Sequence, residues 1–109
     1  MTSDLIVVFI TAGSADEAYK IAEKLLAMRL AACINVVPNI FSYYRWQGQI
    51  DNAKETLLIV KSQTTLINDI IKSVKEIHSY EVPEIIALPI VGGNEDYLKW
   101  LTDETKRKP

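Results

Sequence analysis

Two stretches of this chain are apolar at every consecutive position, a pattern that a sheet with one wet face does not need. Leu5-Ile6-Val7-Val8-Phe9-Ile10 and Leu57-Leu58-Ile59-Val60 are too short, and the first too rich in β-branched and aromatic residues, for helices. Both read as strand segments buried on two sides. Side chains alternate across a strand, so if Ile6, Val8 and Ile10 face a layer of helices, Leu5, Val7 and Phe9 face away from it and are just as oily. At 109 residues the chain has the length of one domain, spanning positions 1–109. That domain must find cover for both faces of one sheet.

The remaining elements follow from periodicity and punctuation. After the first strand ends at Ala12-Gly13, Ser14 and Glu17 have the spacing of a capping box, and Ala18, Ile21, Ala22, Leu25 and Met28 line one face of a helix ending near Arg29. A second strand runs from Ala31 to Val37, meets a bulge or an edge at Pro38, and continues through Phe41, Tyr43, Tyr44 and Trp46 to a turn at Gln47-Gly48-Gln49. The third runs from Ala53 to Ser62 and forms a long hairpin with the second. Thr64 and Thr65 are candidate N-caps for a helix carrying Leu66, Ile67, Ile70, Ile71, Val74 and Ile77, with His78 at its C-terminal border. Val82 is extended before Pro83, a fourth strand spans Ile85 to Val91 with Pro89 arguing for an edge, and Gly92-Gly93-Asn94 leads into a short helix with Tyr97, Leu98, Trp100 and Leu101. The order is βαββαβ plus α: an α+β, ferredoxin-like antiparallel sheet with an additional C-terminal helix.

Right-handed crossovers put both connecting helices on one side of such a sheet. About six aliphatic side chains left in water on the other side, at roughly 1.5–3 kcal/mol each, would forfeit on the order of 10–15 kcal/mol. A whole domain has only about 5–15 kcal/mol of stability. The last helix is too short to shield the face, so the sequence predicts a homo-oligomer in which bare sheet faces pack on one another.

Composition narrows the function. Twelve Lys and Arg against fourteen Asp and Glu give a net charge of −2, which is no footprint for nucleic acid. One Cys excludes an internal disulfide and a CxxC knuckle and points to a reducing, cytoplasmic setting. No export or membrane segment is visible, since the run from Leu5 to Ile10 is far short of the ~20 residues that span a bilayer. The cluster Lys106, Arg107 and Lys108 reads as solvated helix-end cations.

Four segments, in this order and spacing, resemble the CutA divalent-cation tolerance proteins: Leu30-Ala31-Ala32-Cys33-Ile34-Asn35; Tyr44-Arg45-Trp46-Gln47-Gly48-Gln49-Ile50; His78-Ser79-Tyr80-Glu81-Val82-Pro83-Glu84-Ile85; and Gly93-Asn94 with Tyr97-Leu98 and Trp100. The resemblance covers nearly the full chain. It implies a ferredoxin-like homotrimer whose long second and third strands reach neighbouring subunits, and a role in tolerance of metals such as copper. It also implies a likeness in fold to the PII signalling proteins, which bind small ligands in clefts between subunits.

His78 is the only imidazole, and neutral imidazole suits Cu(II), Zn(II) and Ni(II), with Glu81 and Glu84 near enough in sequence to add oxygen ligands. A lone His at a helix end is more often a cation favoured by the local dipole. Some family members carry a Cys where Ile10 stands and a second His where Ile77 stands, both associated with copper, and most have Pro where Ser79 stands. With those ligands missing, Cu(2+) or another divalent metal would bind weakly, through His78 with carboxylates, water or Cys33.

A free Cys in a strand is usually a small buried hydrophobe. The resemblance instead sets Cys33 in an intersubunit cleft with Trp46, Lys61, His78 and Glu81. Lys61 is equally readable as a strand-end charge in water, and Trp46, Tyr44 and Tyr80 as interface anchors rather than ligand stackers. No nucleophile and base pair can be identified, and Gly13-Ser14-Ala15-Asp16 lacks the Arg that an acylphosphatase-like loop needs, so the chain reads as a binding protein and not an enzyme. Two functions remain: a trimeric metal-binding tolerance protein, or a PII-like small-molecule sensor or scaffold using the cleft around Trp46 and Lys61.

Overall fold

The computed structural model describes residues 4–105; the basic cluster at 106–108 lies outside them. Its elements are β1 (Leu5–Ala12), α1 (Ala15–Ala27), β2 (Cys33–Trp46), β3 (Gln49–Gln63), a 3-10 turn (Thr64–Leu66), α2 (Ile67–Lys75), β4 (Ile85–Pro89) and α3 (Glu95–Glu104). The four strands form one antiparallel sheet in the order β2-β3-β1-β4, the ferredoxin-like arrangement expected.

Local chemistry explains most boundaries. Ser14 Oγ accepts the Glu17 N–H at 3.2 Å, capping α1. The reciprocal half of a capping box is missing, because Glu17 uses its carboxylate elsewhere. The chain leaves α1 through Arg29, which sits in the left-handed region at φ 57 and donates its guanidinium to the Asp103 carbonyl at 3.1 Å. Pro38 interrupts the β2–β3 ladder as expected: the register shifts between Val37 and Ile40, and Asn39 turns to φ 63.

Several boundaries differ from the sequence reading, beginning with β2, which starts at Cys33 rather than Ala31. Neither Thr64 nor Thr65 caps α2, which follows the 3-10 turn with no side-chain cap. β3 starts at Gln49 rather than Ala53, since the tight turn lets the hairpin ladder run to its tip. α2 stops at Lys75, two residues before Ile77. β4 stops at Pro89, not Val91: proline has no N–H to carry the ladder on, and after the Ile90 N–H reaches the Leu5 carbonyl at 2.9 Å, Val91 is solvent-exposed.

The core lies between the sheet and α1 and α2. Ile6, Val8 and Ile10 of β1, Leu58 and Val60 of β3, Ile21 and Leu25 of α1, and Ile70 and Val74 of α2 are all buried there. The opposite face presents Cys33, Lys61, Val7 and Leu88 in one cross-strand row and Asn35, Ile59, Phe9 and Ile86 in the next. α3 covers one end of this face, where Leu5 and Leu101 are buried and Gln63 Nε2 donates to the Thr102 carbonyl (3.1 Å) and Thr105 Oγ1 (2.6 Å). Beyond it Ile86, Leu88 and Val37 remain 51%, 43% and 38% exposed. The two-sided apolar strands are real, and the helices of one chain cover one side and part of the other.

Candidate functional site

β1 pairs with β3 only from Thr56 onward, so residues 49–55 pair with β2 alone and project past the sheet as a two-stranded ribbon. Its turn places Gln47 (φ 50) and Gly48 (φ 81) both in the left-handed region, as the tight hairpin turn requires. Register sets Ser42, Tyr44 and Trp46 on one side of the ribbon with Asp51 and Glu55, and Phe41, Tyr43 and Arg45 on the other with Ile50, Asn52 and Lys54. Phe41, Tyr43 and Ile50 are more than two-thirds exposed.

The segment 78–84 crosses the end of β1 and faces this ribbon. Its anchor is His78, whose Nδ1 accepts the Tyr80 N–H at 2.9 Å and whose Nε2 pairs with the Thr11 carbonyl at 2.7 Å. A backbone N–H can only donate, so Nε2 carries the ring proton and donates it to Thr11. Both ring nitrogens are thereby engaged.

A second anchor is Glu17, whose two oxygens accept the Gly13 N–H at 3.0 Å and the Ser79 N–H at 2.6 Å. Burial pushes this carboxyl up, but the hydrogen bonds from Ser79 and Gly13 outweigh it and hold the group below its ordinary value. A third is Tyr80, whose ring lies 4.8 Å from that of His78 and whose hydroxyl donates to Glu55 Oε2 at 2.8 Å. Burial first, and then the Glu55 carboxylate, push the phenol up to about 12, so it stays a neutral donor at any physiological pH.

Ribbon and segment enclose an open groove of about 720 Å³, lined by Thr11, Ser42, Tyr43, Tyr44, Arg45, Trp46, Asp51, Glu55, Tyr80, Glu81, Val82 and Glu84. Tyr44, Trp46, Tyr80, Glu81 and Glu84, expected at the site, come together here. His78 stands behind Tyr80 and not in the wall. Cys33 and Lys61 are elsewhere: they face each other across β2 and β3, with Lys61 Nζ donating to Asn35 Oδ1 and lying 4.0 Å from Cys33 Sγ. Tyr97 of α3 joins them, its phenol raised by burial and then by the Cys33 sulfur. Lys61 is six positions along β3 from Glu55, which is ~20 Å. Within one subunit the expected cleft is therefore two sites.

Whether the residues fit a metal follows from this geometry. Among the described residues no group of three or more His, Cys, Asp or Glu side chains could hold an ion, and His78 has no free lone pair. One subunit does not form the expected His78, Glu81 and Cys33 set.

Glu17, Glu55, Asp51 and Asn35 were not singled out from the sequence. Glu17 was assigned wholly to helix capping. Glu55 had a visible signal, a carboxylate adjoining an aliphatic strand block, and it is buried; a charge in such a place needs a partner.

Comparison with known proteins agrees with the fold. The family model described as "CutA1 divalent ion tolerance protein" matches residues 6–104. The chain is 48% identical over 99 residues to the divalent-cation tolerance protein CutA of Thermus thermophilus, covering 91% of this chain and 96% of that protein. It is 42% identical over 101 residues to the chloroplastic protein CutA of Arabidopsis thaliana, covering 93% of this chain but only 56% of that longer protein. The solved structure of CutA1 from Oryza sativa superposes with a TM-score of 0.93 at 41% identity, covering 98% of each chain. Among the described residues no helix is long and apolar enough to cross a membrane. By sequence along nearly its whole length, and by fold, the chain belongs to the CutA1 divalent ion tolerance family.

Proposed function

We propose that the chain acts in divalent metal ion tolerance as a cytoplasmic homotrimer, binding rather than catalysing. The uncovered apolar face supports the assembly, because α3 leaves Val37, Ile86 and Leu88 exposed and they gain by burial against further copies. The projecting ribbon, with aromatic side chains exposed on it, is long enough to lie against a neighbour. Light scattering at micromolar concentration tests the assembly: a trimer is expected, and a folded monomer overturns it.

Copper or another divalent ion enters this reading weakly, and where subunits meet. Since Cys33 pairs with Lys61, ~20 Å of strand from Glu55 of the groove, it would join Glu81 and Glu84 from another copy, and His78 would join after Nδ1 releases the Tyr80 N–H. Calorimetric titration with copper of the wild type and of His78→Ala decides it; identical isotherms dismiss His78 as a ligand.

The groove supports a second reading, PII-like binding of a small molecule. Its aromatic walls and its volume suit an organic ligand better than a bare ion.

A further inference from the structure

The groove's chemistry points to the class of such a ligand, an inference that rests on the small-molecule reading just given. Asp51, Glu55, Glu81 and Glu84 line it, against the single cation Arg45. The ammonium group that would have drawn an organic anion, that of Lys61, is ~20 Å along the strand from Glu55 and committed to Asn35.

Four aromatic residues, Tyr43, Tyr44, Trp46 and Tyr80, share the wall with these carboxylates. Aromatic faces attract ammonium groups through the ring quadrupole and pack equally well on methylenes. The Tyr80 hydroxyl, which gives its hydrogen to Glu55, keeps its lone pairs to accept from an ammonium N–H.

Spacing separates an organic cation from a metal ion. Metal ligands must converge to ~2.0–2.6 Å from one centre, and no such convergence exists among the described residues. Asp51 and Glu55 instead lie on the same side of one strand four residues apart, which is ~13 Å. That separation suits charges strung along an aliphatic chain. We infer that the groove binds a linear aliphatic polyamine, with its ammonium groups on the separated carboxylates and its methylenes across Tyr44 and Trp46.

Calorimetry on the assembled full chain tests this with spermidine, butylamine and succinate as probes. Spermidine is expected to bind more tightly than butylamine, and succinate not at all. Trp46→Leu should weaken spermidine by about two- to thirtyfold, the range of a cation–π contact, with Trp46→Phe restoring much of it. Asp51→Asn should shrink the advantage of spermidine over butylamine. Light scattering must show each variant in the wild-type assembly state. Spermidine binding that ignores both substitutions overturns the assignment to this groove. Succinate binding without spermidine overturns the cation class and leaves the small-molecule reading standing, and no binding by any probe overturns the polyamine proposal.

Discussion

The two faces of the sheet are built from the same strands and nearly the same residues, yet one is sealed and the other is not. On the helix side Val8, Ile10, Leu58 and Val60 are fully buried; one position along, Val7, Phe9 and Ile59 are partly exposed, and across the ladder Ile86 and Leu88 are open. Composition does not distinguish the sets. Connectivity does: both crossovers carry α1 and α2 to one side, and α3 comes back over only one end of the other. An apolar alternation therefore states how much surface needs cover, and topology states how much the chain can supply by itself.

The sharpest way to break this comparison is to perturb one leucine on each side. Leu58→Ala, in the sealed layer, is expected to cost about 2–5 kcal/mol of unfolding free energy, measured by denaturant titration. Leu88→Glu on the open face should cost a dissociated subunit under about 0.5 kcal/mol but shift an assembled one toward monomers by light scattering. If Leu88→Glu instead destabilises a monomer as much as Leu58→Ala does, the open face is a sealed layer after all.

Two further predictions concern the segment that joins the faces, since Glu17 belongs to α1 on the sealed side and Glu55 opens toward the groove. Glu17→Gln should cost about 1 kcal/mol at neutral pH, a figure reduced by the exposure of the carboxylate. Because folding lowers this pKa, the contribution is fully present above the ordinary carboxylate value of 4.5 and is lost as pH falls through the folded value. Denaturation curves of wild type and variant should converge in acid. Tyr80→Phe should cost about 0.5–1.5 kcal/mol and remove one phenol from the ultraviolet titration, the one ionising at about 12. Folding raises that pKa, so the proton-linked stability is complete below the ordinary tyrosine value of 10.0 and disappears as pH rises through about 12.

The sequence was most legible where one local rule acted alone. Consecutive apolar residues marked β1, helical periodicity marked α1 and α2, Pro38 marked the bulge, and Asn94 capped α3, its Oδ1 accepting the Asp96 N–H at 2.9 Å. Elements failed to show where long-range pairing decided them. β3 extends down to Gln49 through mostly polar residues because β2 offers a partner, and Thr64 and Thr65 lost their capping role to a 3-10 turn. The groove was half visible: Tyr44, Trp46 and Tyr80 were candidates as interface anchors, but Glu17 and Glu55 act on partners 62 and 25 residues away in sequence. No spacing rule links such pairs, and none could foretell that Lys61 would point at Asn35.

The projecting ribbon carries its own consequence. A two-stranded hairpin with no third strand is marginal in water, and among the described residues the only strand paired with residues 49–55 is β2. Their amides should trade hydrogen for deuterium rapidly in an isolated copy and slowly once neighbours seal them, which makes the tip of this arm a clock for assembly, readable without touching any side chain.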